Sequence, residues 1–309
     1  MKDYLDGTEL SAEKTRELLR EALDRKRRGR SARSASLAGK TLALLFEKHS
    51  TRTRVSFEAG VAQLGGRTIF LSPQDTQLAR GETPADSARV LSEYVDGIVV
   101  RTFGHERVEE IARHASVPVI NGLTDLHHPC QALADFLTLL ERFGRLEGLK
   151  LAYLGDGNNV AHSLLLVGAL IGVKVSVACP PELQPDAGVV ARARELAAAS
   201  GAVIQITNEI QAACGGAHAL YTDVWTSMGQ EGEEALRHEL LTPYRVHGET
   251  FHWADKDAVF MHCLPAHRGE EVSAEVIDGP RSVVFQQAGN RLHAQKILLE
   301  VLLGGNDGR

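Results

Sequence analysis

From Thr41 onward the sequence alternates between two textures, and that alternation leaves few architectures open. Short apolar runs at Thr41–Phe46, Thr68–Leu71, Gly97–Arg101 and Val117–Ile120 read as strands buried on both faces. Between them, Arg54–Leu64, Ala85–Tyr94, Glu106–His114 and Pro129–Phe143 carry the longer apolar period of helices. Strand and helix in alternation predict crossover units on a mainly parallel sheet. Upstream, Ser11 opens a predicted helix with Leu18, Leu19 and Leu23 on one face.

The alternation breaks around Gly144–Lys150 and then restarts. Leu151–Leu154, Lys174–Ala178, Val203–Thr207, Ala219–Thr222 and Ala258–His262 read as strands, and Val160–Ile171 and Val189–Ala199 as helices. The expected fold is therefore α/β, with two doubly wound parallel-sheet domains at residues 1–144 and 145–309 and the active site in the cleft between them. Leu292–Leu303 has a helical period, and this last helix, about residues 290–303, is able to pack back on the first domain. The stretch Thr226–Asp257 is weakly periodic and reads as loop-rich.

A formal net charge of -6 argues against a general nucleic-acid binder, so any anionic ligand needs a local cluster of cations. No apolar run reaches the length of a membrane span. The basic stretch Arg25–Arg33 follows Glu9, Glu13, Glu17 and Glu21, which is too acidic a context for a transit peptide. Cys130, Cys179, Cys214 and Cys263 lie far apart, with no C-x-x-C pair, and read as reduced thiols in a cytoplasmic setting.

One such cation cluster is visible. Ser50-Thr51-Arg52-Thr53-Arg54 follows a strand and opens a helix, where free N–H groups and the helix dipole favour an anion. Three hydroxyls and two guanidiniums in five residues suit a phosphate. Arg101 sits at a strand end, where open parallel sheets bind ligands, although a lone surface arginine would look the same. In His128-Pro129-Cys130-Gln131 the proline suits the first position of a helix, which puts His128 and Gln131 at its mouth. Both can donate to a carbonyl oxygen, or serve only as cap and surface.

Gly155-Asp156-Gly157-Asn158-Asn159 half matches a dinucleotide fingerprint, but its third small position is Val160 and the next strand ends on Cys179-Pro180. No nucleotide or other cofactor is inferred, and Asn159 stays as a polar contact at a strand–helix crest. Asp223, after the strand Ala219–Thr222, can hold an ammonium group, and Ser227 can receive a carboxylate. His262-Cys263-Leu264-Pro265 ends another strand, with Cys263 open to a reactive or a purely structural reading. His262 and His267 belong to no closed set of metal ligands, and no metal is expected.

Taken together, Ser50-Thr51-Arg52-Thr53-Arg54 and His128-Pro129-Cys130-Gln131 resemble the carbamoyl phosphate site of the aspartate/ornithine carbamoyltransferase family. Asp223-x-x-x-Ser227-Met228-Gly229 and His262-Cys263-Leu264-Pro265 resemble its ornithine branch, and the likeness runs from about Ser11 to Leu303. The resemblance implies carbamoyl transfer from carbamoyl phosphate to the side-chain amine of L-ornithine, by direct attack and without a covalent enzyme intermediate. It implies that Ser50, Thr51, Arg52 and Thr53 hold the phosphate, that Arg101, His128 and Gln131 bind the carbamoyl end, and that Pro129 and Cys130 belong to the same carbamoyl phosphate site. It further implies that Gln77 reaches the site of a neighbouring subunit in a homotrimer or a multiple of trimers. Asn159, Asp223, Ser227 and Met228 would bind ornithine, with Cys263, Leu264 and Arg291 at the reacting centre; Arg52, Arg101, His128 and Cys263 would be catalytic. One departure stands out. The family usually has Glu before Asn-Arg in the last motif, where this chain reads Gly289-Asn290-Arg291, and a glycine there is expected to loosen the helix start.

Overall fold

The computed structural model describes residues 2–29, 34–76, 81–226 and 231–304. The chain divides into two compact units, Met1–Leu137 with Asn290–Arg309, and Thr138–Gly289.

The first unit begins with α1 (Ala12–Arg27), capped by Ser11, whose hydroxyl accepts the Lys14 N–H. It continues through β1 (Thr41–Phe46), α2 (Thr51–Gln63), β2 (Arg67–Leu71), α3 (Pro84–Ser92), β3 (Gly97–Arg101), α4 (His105–His114), β4 (Val119–Leu123) and most of α5 (Pro129–Phe143). Its four strands are parallel, in the order β2-β1-β3-β4. β1 and β3 are buried almost throughout, so their unbroken apolar text reflects cover on both faces. Leu45, Ile98, Val100, Val108 and Ile111 form part of the core on one side.

The second unit carries β5 (Lys150–Leu154), α6 (Asn159–Ile171), β6 (Lys174–Ala178), α7 (Ala187–Ser200), β7 (Ile204–Thr207), α8 (Ile210–Cys214), β8 (Ala219–Thr222), α9 (Glu234–Leu241), β9 (Val259–His262) and α10 (Ala274–Ile277). Its sheet is again parallel, β7-β6-β5-β8-β9. α6 is buried all round from Val160 to Ile171, as its nearly continuous apolar text requires. The two parallel α/β sheets agree with the fold class expected from the alternation.

Several boundaries shift by a few residues, and three differences from the sequence reading have a clear physical reason. β4 covers Val119–Leu123 and not Val117–Ile120. Asn121-Gly122 resembles a turn in the sequence, yet the Asn121 N–H bonds the Tyr4 carbonyl and its amide donates to the Leu5 carbonyl at 2.8 Å. The last helix, α11 (Val284–Leu303), starts eight residues before the expected Leu292. Its first turns look polar because Gln287 and Asn290 are fully buried but hydrogen-bonded, Gln287 accepting the His262 N–H and Asn290 accepting from Lys26 Nζ. Arg291 therefore lies inside a helix and not at its start, and Gly289 loosens no terminus. Finally, the supposed loop-rich stretch holds α9 and short 3₁₀ turns at Thr242–Tyr244 and Gly248–His252.

Candidate active site

In the first unit the phosphate motif lies at the start of α2. Ser50 caps the helix, its Oγ accepting the Thr53 N–H at 3.2 Å. The two arginines of the motif part company. Arg54 donates to Glu58 at 2.9 Å and its guanidinium lies 3.6 Å from the Phe70 ring centre, so it serves the surface of α2. Arg52 instead acts electrostatically on His128, together with Arg101 and Arg291.

Arg101 ends β3 beside Phe46 of β1 and is almost fully buried. His128, just before Pro129 opens α5, is also buried. Burial, then the Arg291, Arg101 and Arg52 charges, hold its imidazole well below the usual histidine range. His128 is thus neutral near pH 7, with one ring nitrogen a donor and the other an acceptor. Arg291 reaches this cluster from α11, donating to Gln131 Oε1 at 2.8 Å and to Thr53 Oγ1 at 3.1 Å. Gln131 in turn donates to Asp135 Oδ1 at 2.7 Å, so its amide is oriented from both ends. Cys130 turns its thiol to the Asn121 carbonyl at 3.5 Å, and burial pushes that thiol up to about 12. It is a packed, protonated side chain, which leaves its backbone to contribute at the helix mouth. Gln77 lies outside the described residues.

In the second unit the crests after β5, β8 and β9 converge. Asp223 Oδ1 accepts the Cys263 thiol at 2.8 Å and the Val224 N–H at 2.8 Å, and its Oδ2 accepts the Asn158 amide at 2.9 Å. Asn158 also caps α6, its Oδ1 accepting the Val160 and Ala161 N–H groups. The turn before it depends on glycine: Gly155 has φ +133°, and a Cβ at Gly157 would sit 2.2 Å from the Pro185 nitrogen. Asn159, singled out from the sequence, is the first residue of α6, one step past the cap. Ser227 and Met228 lie outside the described residues.

Behind Cys263, the Leu264 N–H donates to His262 Nδ1 at 2.8 Å. The His262 proton then sits on Nε2, 3.2 Å from Glu271 Oε1. Leu264 has φ +59°, a backbone state worth about 1 kcal/mol of strain for a side chain with a Cβ. The bond to His262 helps hold it there. Asp223, His262 and Cys263 are close enough to share a cation, as are His267, Glu270 and Glu271. In the first group, however, both ring nitrogens of His262 and the thiol of Cys263 are engaged within the protein.

Sequence reasoning missed Asn158, Glu271 and the buried pair Arg237–Asp156. Asn158 had a usable signal, because asparagine is among the favoured N-cap residues and it stands two residues before a predicted helix. The others are recognised only by partners distant in the chain.

A chain with one parallel α/β unit whose arginines gather at a helix mouth, and another whose strand ends present a hydrogen-bonded carboxylate, belongs to the class of two-domain α/β transferases acting on phosphorylated substrates. Residues 2–141 match the profile "Aspartate/ornithine carbamoyltransferase, carbamoyl-P binding domain", and residues 147–302 match "Aspartate/ornithine carbamoyltransferase, Asp/Orn binding domain". The chain therefore belongs to the aspartate/ornithine carbamoyltransferase family. It is 55% identical over 303 residues to the ornithine carbamoyltransferase of Anoxybacillus flavithermus, covering 98% of this chain and 96% of that one. It is 56% identical over 269 residues to that of Thermococcus kodakarensis, covering 87% and 85%. Among solved structures, the ornithine carbamoyltransferase from Pyrococcus furiosus superposes with a TM-score of 0.95 at 49% identity, covering 98% of this chain and 97% of that one.

Proposed function

We propose that this chain transfers the carbamoyl group of carbamoyl phosphate to the side-chain amine of L-ornithine, releasing L-citrulline and phosphate. The observation that carries the reading is the meeting of Arg52, Arg101 and Arg291 around a neutral His128, next to the capped start of α2. Guanidiniums and free helix N–H groups suit the phosphate, and a neutral imidazole suits a carbonyl oxygen gaining charge. We assign Ser50, Thr51, Arg52 and Thr53 to the phosphate, and Arg101, His128 and Gln131 to the carbamoyl group. Gln77, Pro129, Cys130, Leu264 and Arg291 complete the carbamoyl phosphate site, which a domain spanning 1–144 builds together with Leu264 and Arg291 from the acceptor domain at 145–309.

For the acceptor, Asp223 is the natural partner of an ammonium group, because its described hydrogen bonds come from uncharged donors. Asn159, Ser227 and Met228 complete the ornithine site. In the reaction the neutral amine forms its bond to the carbonyl carbon, the bond from that carbon to the phosphate oxygen breaks, and the amine proton is released. Arg52 stabilises the departing phosphate, and Arg101 and His128 stabilise the oxyanion. Cys263 positions the amine and does not act as a nucleophile.

The same reading places the enzyme in the cytoplasm, in arginine biosynthesis, as a homotrimer or a multiple of trimers. No helix among the described residues is long and apolar enough to cross a membrane. The edge strand β2, with Ile69 46% exposed, and Val55 on α2, 55% exposed, offer an apolar surface that supports assembly.

The test is citrulline formation from carbamoyl phosphate, with ornithine, aspartate and putrescine offered in parallel. Turnover with ornithine alone is expected, and it should rise with pH as the amine loses its proton. Turnover only with another amine would overturn the acceptor assignment.

A further inference from the structure

Arg237 lies in α9 among Glu231, Glu233, Glu234 and Glu239, in text that reads as a solvated polar helix. In the structure it is only 4% exposed. Its Nε donates to the Trp225 carbonyl at 2.7 Å, and its Nη2 donates to Asp156 Oδ2. The neighbouring His238 packs edge-on against the Trp225 ring, with centroids 5.1 Å apart. A buried ion pair is kept at a cost in desolvation, so its use lies more in geometry than in stability.

That geometry has a direction. Asp156 stands two residues before Asn158, the side chain that holds Asp223 Oδ2. Trp225 stands two residues after Asp223 and two before Ser227. One planar guanidinium, with its edges on these two segments, joins the crest after β5 to the chain leaving β8. We propose that Arg237 is a positioning residue for the acceptor amino acid, fixing the two chain segments that flank Asp223. This rests on the assignment of Asp223 and Ser227 to ornithine made above. Arg237 itself touches no substrate; it sets where Asp223 and Trp225 stand.

The test compares Arg237→Ala and Arg237→Lys with the unaltered enzyme, measuring KM for each substrate separately, together with the melting temperature. The chain has two tryptophans, so a Trp253→Phe background makes Trp225 the sole reporter by fluorescence. Arg237→Ala is expected to raise the KM for ornithine on the order of tenfold, since small misplacements of contact groups are costly, and to leave the KM for carbamoyl phosphate within about twofold. Trp225 emission should move to the red as its segment loosens. Arg237→Lys, which keeps the charge but loses the fork, should fall between the two. An ornithine KM within about twofold of the unaltered enzyme would overturn the proposal, as would an equal rise in both KM values or an unmoved Trp225 emission. Absence of turnover in the unaltered enzyme would overturn the functional assignment instead, and the emission shift would still decide whether Arg237 clamps Trp225.

Discussion

The two units share an architecture but treat charge in opposite ways. In the first, guanidiniums from α11, β3 and α2 all act on a buried His128, and the histidine answers by staying neutral. In the second, the carboxylate of Asp223 is held by an amide, a thiol and a backbone N–H. Like charges gathered around one site repel, and a bound anion would relieve that repulsion. A carboxylate satisfied by neutral donors keeps its charge available for a cation. On the assignments proposed above, the same kind of parallel sheet carries an anion site in one unit and a cation site in the other, through the side chains at its strand ends.

The strongest way to break this contrast is Arg52→Ala. Loss of a cation from a site that stabilises a leaving phosphate should lower kcat/KM for carbamoyl phosphate about a thousandfold, about 4 kcal/mol. A loss below about tenfold, with ornithine saturating, would show that the arginine cluster is not the anion site.

A second test uses pH, because the units titrate with opposite sign. Burial, opposed by Arg237 and reinforced by Asp223 and Glu233, pushes Asp156 in the second unit from its ordinary 3.8 up to about 6. The folded state therefore binds that proton more tightly than the unfolded chain. Its contribution is fully present below about 3.8 and is lost as pH rises through about 6, on the order of 3 kcal/mol. His128 in the first unit is depressed below 6.5, so its contribution is present above that value and is lost as pH falls below it. Denaturant unfolding between about pH 4 and pH 8 should lose the descending component in Asp156→Asn and the ascending one in His128→Gln. Unchanged slopes in both variants would remove the electrostatic contrast.

A smaller effect is expected at Cys263. Serine retains a donor for Asp223 but with a shorter reach, so Cys263→Ser should lower kcat/KM for ornithine about tenfold, about 1.4 kcal/mol, and spare carbamoyl phosphate. Full turnover with unchanged ornithine affinity would show that the thiol does not position the amine.

What was legible in the sequence follows the same physics. Strands buried on both faces, such as β1 and β3, announce themselves as apolar runs, and the parallel plan followed from their alternation with helices. Elements that bury polar groups in hydrogen bonds were harder to read. β4 was offset because Asn121 is a paired core residue, and the start of α11 was hidden by buried Gln287 and Asn290. In the site, residues clustered in short motifs were visible as chemistry. Local crowding misled at Arg54, which serves Glu58 and Phe70. It was silent at Arg237 and Glu271, whose partners Asp156 and His262 lie 81 and 9 residues away. Periodicity carries burial, but it does not carry long-range polar pairing.

The smallest effect concerns Gly289, the last residue of the second unit, followed by Asn290 as the first of the other. It lies within α11, five residues past Val284, and a Cβ there would meet nothing within 4 Å. A glycine inside a helix costs about 0.5–1 kcal/mol relative to alanine, through the extra freedom of the unfolded chain. Gly289→Ala should therefore raise stability to denaturant by about that amount. Arg291 is held by Gln131 and Thr53, not by the residue at 289, so the KM for carbamoyl phosphate should stay within about twofold. A rise in that KM together with the gain in stability would mean that the helix must yield at this point for Arg291 to work. The missing carboxylate of the family pattern would then be a functional difference, and the anion site would depend on the segment that joins the two units.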